Sequence, residues 1–385
     1  MQPGVAQVKD QKLSFKFDIR AYTLIIALIF IAILFTFLTD GDFLTSRNLS
    51  NLFRQMSVIS ILAIGMTLVI VAAQIDLSVG SIVGLTGGIA AILQVWFGWG
   101  TLPAVLVAIL AGAVIGLMQG WLVAYKAVPA FIVTLGGMMV WRGVLLGMSH
   151  GETVAPLQDS FVSIGQSYLP YVWGYILAAL VCVAIFFSTV RRRRKREKLQ
   201  LPLNSAAADY GVALACMVIG MGFAYMMNRY YGIPIPMLIV LVLALVFVFI
   251  TTKTGFGRYI YAIGGNVEAA KFSGIHIKNH MLAVFVMMGA LAGVAGVVLT
   301  GRLNAATVGA GQSFELDAIA ACVIGGTSLS GGTGTILGSV IGALVMVSLD
   351  NGMSMMNVEP FWQYIVKGSI LVFAVWLDIA TKNKR

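Results

Sequence analysis

Charge is what this 385-residue chain has least of: Asp, Glu, Lys and Arg together make up 10% of it, against roughly 25% in a soluble domain. That excludes an ordinary water-soluble fold. Cysteine is nearly as scarce. Cys182, Cys216 and Cys322 each sit alone in an apolar segment, so neither a disulfide framework nor a thiolate metal site is written here. His150, His276 and His280 are equally scattered, and no metal site is expected. The run Gly331-Gly332-Thr333-Gly334 is not followed by Gly-Lys-Ser/Thr, so it is no phosphate-binding loop and the chain does not hydrolyse ATP itself. The carboxylates form no acid–base cluster, which argues against a membrane enzyme. The first twenty residues are polar and lack a small-residue cleavage site, so they read as a cytoplasmic tail.

Apolar residues fill most of the rest, at 59% of the chain and a mean hydropathy of +0.94. About 20 consecutive apolar residues span a bilayer as a helix, whereas a lone strand would leave its backbone unpaired. The composition therefore predicts an all-α polytopic membrane protein. Runs at 21–38, 57–73, 78–96, 103–125, 131–148, 168–190, 208–227, 236–251, 281–300, 316–327, 335–349 and 361–379, with an interfacial helix at 44–55, give about twelve segments. Resemblance between residues 168–170 and 231–234 marks the intervening hairpin as an insertion into a core of about ten.

The net charge of +10 invites a nucleic-acid reading, but its distribution excludes one. Lys9, Lys12, Lys16 and Arg20 precede the first run, Arg191 to Lys198 fill one connection, Lys253, Arg258, Lys271 and Lys278 another, and Lys382, Lys384 and Arg385 close the chain. Basic residues beside span ends mark the cytoplasmic side, with some pull on anionic lipid. Both termini are then cytoplasmic, as tails 1–20 and 380–385. A single transmembrane domain covers 21–379, with a basic loop at 191–207 and a second inner loop at 252–280.

Few polar groups accompany the apolar runs, so each is a candidate. Asp76, Ser78, Asp317, Asp350 and Asn351 are candidate pathway residues; interfacial helix caps are the competing reading. Arg142, Glu315 and Lys367 lie in or near other runs, and Asp378 is expected to be solvated. Glycines recur four apart, as at Gly112, Gly116 and Gly120 or Gly289 and Gly293, a spacing that lets helices approach closely in lipid.

One polar island stands out: residues 264–275, holding Asn266, Glu268, Ala269, Ala270, Ser273, Gly274 and Ile275. Gly274 stops a short helix at a C-cap. Glu268 offers a carboxylate to a partner's arginine or amide, and Val267, Phe272 and Ile275 make a small apolar knob. Such a helix suits docking into a cleft of a soluble subunit better than lying on a leaflet.

Glu268-Ala269-Ala270 with Gly274 four residues on resembles the loop by which permease subunits of bacterial ABC importers touch their ATPase. The resemblance extends through residues 48–51, 75–80, 128–135, 257–266, 316–328, 349–355 and 361–368. It identifies the chain as similar to permeases of the ribose/xylose class of carbohydrate importers, and within it to those for D-xylose, on the last segments and the arginine hairpin. The residues after Gly274 depart from some such permeases by lacking a Pro-ended tail, which bears on the docking angle. The resemblance implies a bacterial inner-membrane homodimer, a separate ATPase that binds ATP and Mg, and a periplasmic sugar-binding protein. The permease itself would need no cofactor. An ion-coupled secondary transporter is the alternative, with Asp76 or Asp317 as its titrating group.

Overall fold

Apolar runs too long for a soluble core satisfy their backbone groups by coiling, and helices dominate the computed structural model, which describes residues 19–203 and 205–382. In chain order they are α1 (Ile19–Leu38), α2 (Ser46–Val71), α3 (Val79–Val95), α4 (Thr101–Tyr125), α5 (Ala130–Ser149), α6 (Asp159–Gln166), α7 (Tyr171–Lys198) and α8 (Ala206–Asn228). There follow α9 (Ile235–Lys253), α10 (Gly255–Gly265), α11 (Val267–Phe272), α12 (Ile277–Leu303), α13 (Phe314–Ile324), α14 (Ile336–Met355) and α15 (Pro360–Lys382). Among the described residues nine helices are long and apolar enough to cross a membrane, and extended pairing is confined to two bridges, Val154–Ala306 and Tyr168–Pro234. The chain is an all-α polytopic membrane protein. Lys9, Lys12, Lys16, Lys384 and Arg385 of the expected basic tails lie outside the described residues.

Three segments differ from expectation. Residues 44–55 and 57–73 join into the one helix α2, capped by Thr45, whose Oγ1 accepts from Asn48 N at 3.4 Å. Its polar first turns stay in the bundle because they find partners there: Asn48 pairs with Asn351, and the Arg54 guanidinium lies 5.7 Å from the Tyr168 ring centroid. Residues 191–198, expected as loop, continue α7. Arg and Lys favour helix, and Arg193 Nη1 reaches Asp209 Oδ2 of α8 at 2.6 Å. The polar stretch 149–166 holds α6, whose Gly165 lies on the Gly301–Arg302 backbone of α12.

Buried helices α2 and α12 form the centre. Gly112 of α4 and Gly289 of α12 face each other's carbonyls, and Gly116 meets the Phe285 carbonyl, so a Cβ at any of them would collide with backbone. These glycines do what their spacing predicts. At 11 residues, α13 rises only about 16 Å, half a hydrocarbon layer. The segment before it descends along α3 and α5: Gly311 lies against Gly80, and Arg142 Nη1 donates to the Val308 and Ala310 carbonyls at 2.5 and 2.7 Å.

The pairing of chain ends sorts the loops. Leu169 N donates to Ile233 O at 2.8 Å, so α7 and α9 start at the same end and, each being long enough to cross the membrane, run to the opposite side. Tyr125 Oη donates to Asn279 Oδ1 at 2.6 Å, which brings the end of α4 to the start of α12. Lys126, Arg191 to Lys198, Lys253, Arg258, Lys271 and Lys278 therefore share one basic end with α10 and α11.

Candidate functional site

The polar island forms the outer part of a two-helix projection from the basic end. Thr254 Oγ1 caps α10 by accepting from Gly257 N at 3.2 Å. Asn266 is the joint: extended, with φ −159°, it closes α10 through its N–H to Ala262 O and caps α11 by accepting from Ala269 N at 2.9 Å. At the far end Gly274 takes φ +80°, the left-handed turn a side chain would strain. Its N–H reaches Lys271 O, and the Ile275 N–H reaches Ala270 O at 3.1 Å, closing the helix. Ser273 Oγ adds a bond to Ala269 O at 2.9 Å.

Burial divides the candidate residues by task. Ala270 is 3% exposed and faces the body of the protein, and Ile275 is half-buried against the core. These two anchor the helix. Glu268, Ala269 and Lys271 are exposed, Val267 is 47% exposed, and Phe272 is 90% exposed. A phenyl ring held out into water at a helix tip is unsatisfied hydrophobic surface. Phe272 thus joins the candidate set as its most exposed apolar member; its place beside Glu268 and Gly274 was the available signal.

The base of the projection is walled in. Gly264 presses on the Val71 carbonyl at the end of α2 and on the Gly332 amide, leaving no room for a Cβ. Gly332 N itself donates to Val71 O at 2.9 Å. Tyr261 Oη donates to Gly334 O at 2.7 Å; burial pushes its phenol pKa up, which keeps the donor proton in place. The glycine run between α13 and α14 is therefore a clasp around α10. Ser328 Oγ in the same loop donates to Asp378 Oδ2 of α15 at 2.9 Å, so Asp378 is tied to this loop instead of standing solvated. A push on α11 would reach α2, α13, α14 and α15 through backbone contacts and short bonds.

The candidate pathway residues are held inside the chain. Asp76 Oδ1 accepts from Ser78 N at 2.8 Å and Ser78 Oγ at 2.6 Å, and Ser78 Oγ also meets the Gln119 amide at 3.0–3.1 Å. That is a local turn just ahead of α3, with Asp76 only 1% exposed. Asp317 and Asp350 converge on one cation: Lys367 Nζ lies 2.8 Å from Asp317 Oδ1 and 2.9 Å from Asp350 Oδ2, tying α13, α14 and α15. Asn351 exchanges amide bonds with Asn48 at 2.8 and 3.1 Å. Among the described residues no group of His, Cys, Asp and Glu could hold a metal ion.

A projection with a locked base and a bare tip, set on a bundle of apolar helices, defines a membrane subunit that works with something else. The chain belongs to the family described as branched-chain amino acid transport system / permease component, which matches residues 48–375. It is 49% identical to the xylose transport system permease protein XylH of Escherichia coli (strain K12), over 95% of this chain and 93% of that one. It is 48% identical to XylH of Haemophilus influenzae, over 95% and 98%. The ribose import permease protein RbsC of Escherichia coli (strain K12) stands further off, at 35% over 92% of each chain. No solved structure matches.

Proposed function

We propose that this chain is the membrane subunit of an ATP-binding-cassette sugar importer, and that its sugar is D-xylose. The observation that carries the reading is the bare tip of α11 on a locked base at the basic end. A cytoplasmic ATPase would seat on Glu268, Ala269 and Phe272, and its closure would tilt the bundle through Gly264 and Tyr261. The subunit binds no nucleotide itself; ATP and Mg belong to the ATPase.

Basic loops at one end support a cytoplasmic α10–α11 with both termini on the same side. Nine long apolar helices, with apolar α3 and the apolar part of α1 and the half-length α13, support the twelve-segment reading of ten core segments and a hairpin. The apolar outer faces of α7, α8 and α15 suit lipid. Two copies in the bacterial inner membrane would enclose the path, and a periplasmic binding protein would deliver the sugar to the opposite end. The substrate follows from the xylose permeases at 48–49% identity. An ion-coupled carrier would need midplane ion ligands or a titrating carboxylate, and its candidates Asp76 and Asp317 are engaged by Ser78 and by Lys367.

Labelled D-xylose uptake into proteoliposomes carrying this chain and its ATPase tests the reading, with binding protein on one side and ATP on the other. Uptake that requires both is expected. Gradient-driven uptake without either would replace the importer by a secondary carrier.

A further inference from the structure

With the first pathway candidates tied up inside the chain, a different polar group is left facing outward within the membrane layer. An open cleft of about 490 Å³ is lined by Met138, Met139 and Arg142 of α5, Val308, Gly309, Gln312 and Ser313 of the descending segment, and Glu315 of α13. Ligand pockets for small molecules run from about 300 to 1,000 Å³. Arg142 is the thirteenth of the 20 residues of α5, about 18 Å from its basic end and about 10 Å from the other. Its Nη1 holds the Val308 and Ala310 carbonyls, which fixes the guanidinium and leaves its other N–H groups for the cleft. No ion pair joins Arg142 to Glu315 among the described residues.

Gly136, Met139 and Gly143 continue the cleft's face along α5, with open space over both glycines and Met139 72% exposed. An arginine and a glutamate at this depth do not face hydrocarbon; they face partners, a cavity or water. Irregular backbone such as 304–313 is likewise tolerated at membrane depth only in protein or beside water. Arginine and glutamine donors, a glutamate acceptor and a serine hydroxyl over a methionine floor suit a ligand with hydroxyls on its rim and C–H groups on its face.

We propose that Arg142, Gln312, Ser313 and Glu315, with Met138 and Met139, form the transit site for a neutral monosaccharide, on a face that a second copy of the chain closes into an aqueous path. This deepens the importer reading and rests on it for the identity of the sugar. The contacts are few and the cleft is open, as passage rather than retention requires.

The test places Gln312→Cys in a Cys182→Ser/Cys216→Ser background, leaving the fully buried Cys322, and uses the assembled complex in proteoliposomes. A charged, membrane-impermeant thiol reagent should modify the new cysteine, D-xylose should slow that reaction, and modification should lower uptake at least tenfold. ATP hydrolysis stimulated by the binding protein should stay within twofold. Glu315→Gln should show the same split between uptake and hydrolysis without any reagent. Reaction with a lipid-soluble reagent only would overturn the proposal by placing this face in hydrocarbon, as would modification that leaves uptake intact. If the wild-type complex shows no ATP-dependent uptake, the importer reading fails separately. The labelling still decides here: impermeant reagent slowed by D-xylose supports the site, and unslowed labelling sinks it.

Discussion

The two halves of the α10–α11 projection obey opposite rules. In α10 the inward face is matched: Gly264 fits against two backbones, and Tyr261 has its acceptor. In α11 only Ala270 is enclosed, while Phe272 stands 90% exposed. Matched surface resists change in the folded protein; bare surface is indifferent to folding and waits for another molecule. The same contrast runs through the charges of the bundle. Lys367 is closed between two carboxylates, whereas Arg142 and Glu315 look into an open cleft.

Breaking the enclosed side should cost stability first. Lys367→Met leaves Asp317 and Asp350 buried without a cation, for a loss of about 3 kcal/mol. Adding Asp317→Asn should restore part of it, read as the thermal midpoint of the purified protein in detergent. Gly264→Ala drives a Cβ into the Val71 carbonyl and the Gly332 amide, neither of which can swing aside, for about 2 kcal/mol. Recovery of uptake without recovery of the midpoint in the Lys367 pair would mean the triad is a transport site after all.

The bare side should behave in reverse. Phe272→Asp should weaken ATPase binding by at least about tenfold, as for an interface anchor, and Glu268→Arg should act in the same direction, with the thermal midpoint unmoved in both. Tyr261→Phe, at the base, sharpens the comparison because it deletes one oxygen. It should lower stability by about 1 kcal/mol and slow uptake more than hydrolysis, since force passes through that bond. The smallest effect belongs to Lys271→Ala, an exposed change within about 0.5 kcal/mol of neutral.

Much of this was legible in the sequence where one physical scale dominated. Runs of apolar residues have to cross, glycines four apart have to touch, and a polar island between two spans has to lie outside the bilayer. What escaped was pairing. Lys367 meets partners 50 and 17 residues away, Asn48 meets Asn351 across 303 residues, and nothing local in either segment announces it. The continuity of α2 escaped for the same reason, because its polar turns read as interfacial until their partners are known. Phe272 was read as one part of a knob with Ile275; only burial separates the ring that faces water from the side chain that holds the helix in place.

The central claim is that α11 is where the motor seats, and the most direct measurement is the affinity of the purified ATPase for Phe272→Asp permease in nanodiscs, with thermal midpoint beside it. The account predicts an unchanged midpoint and ATPase binding weakened by at least about tenfold. Wild-type affinity in a protein that melts normally would contradict it.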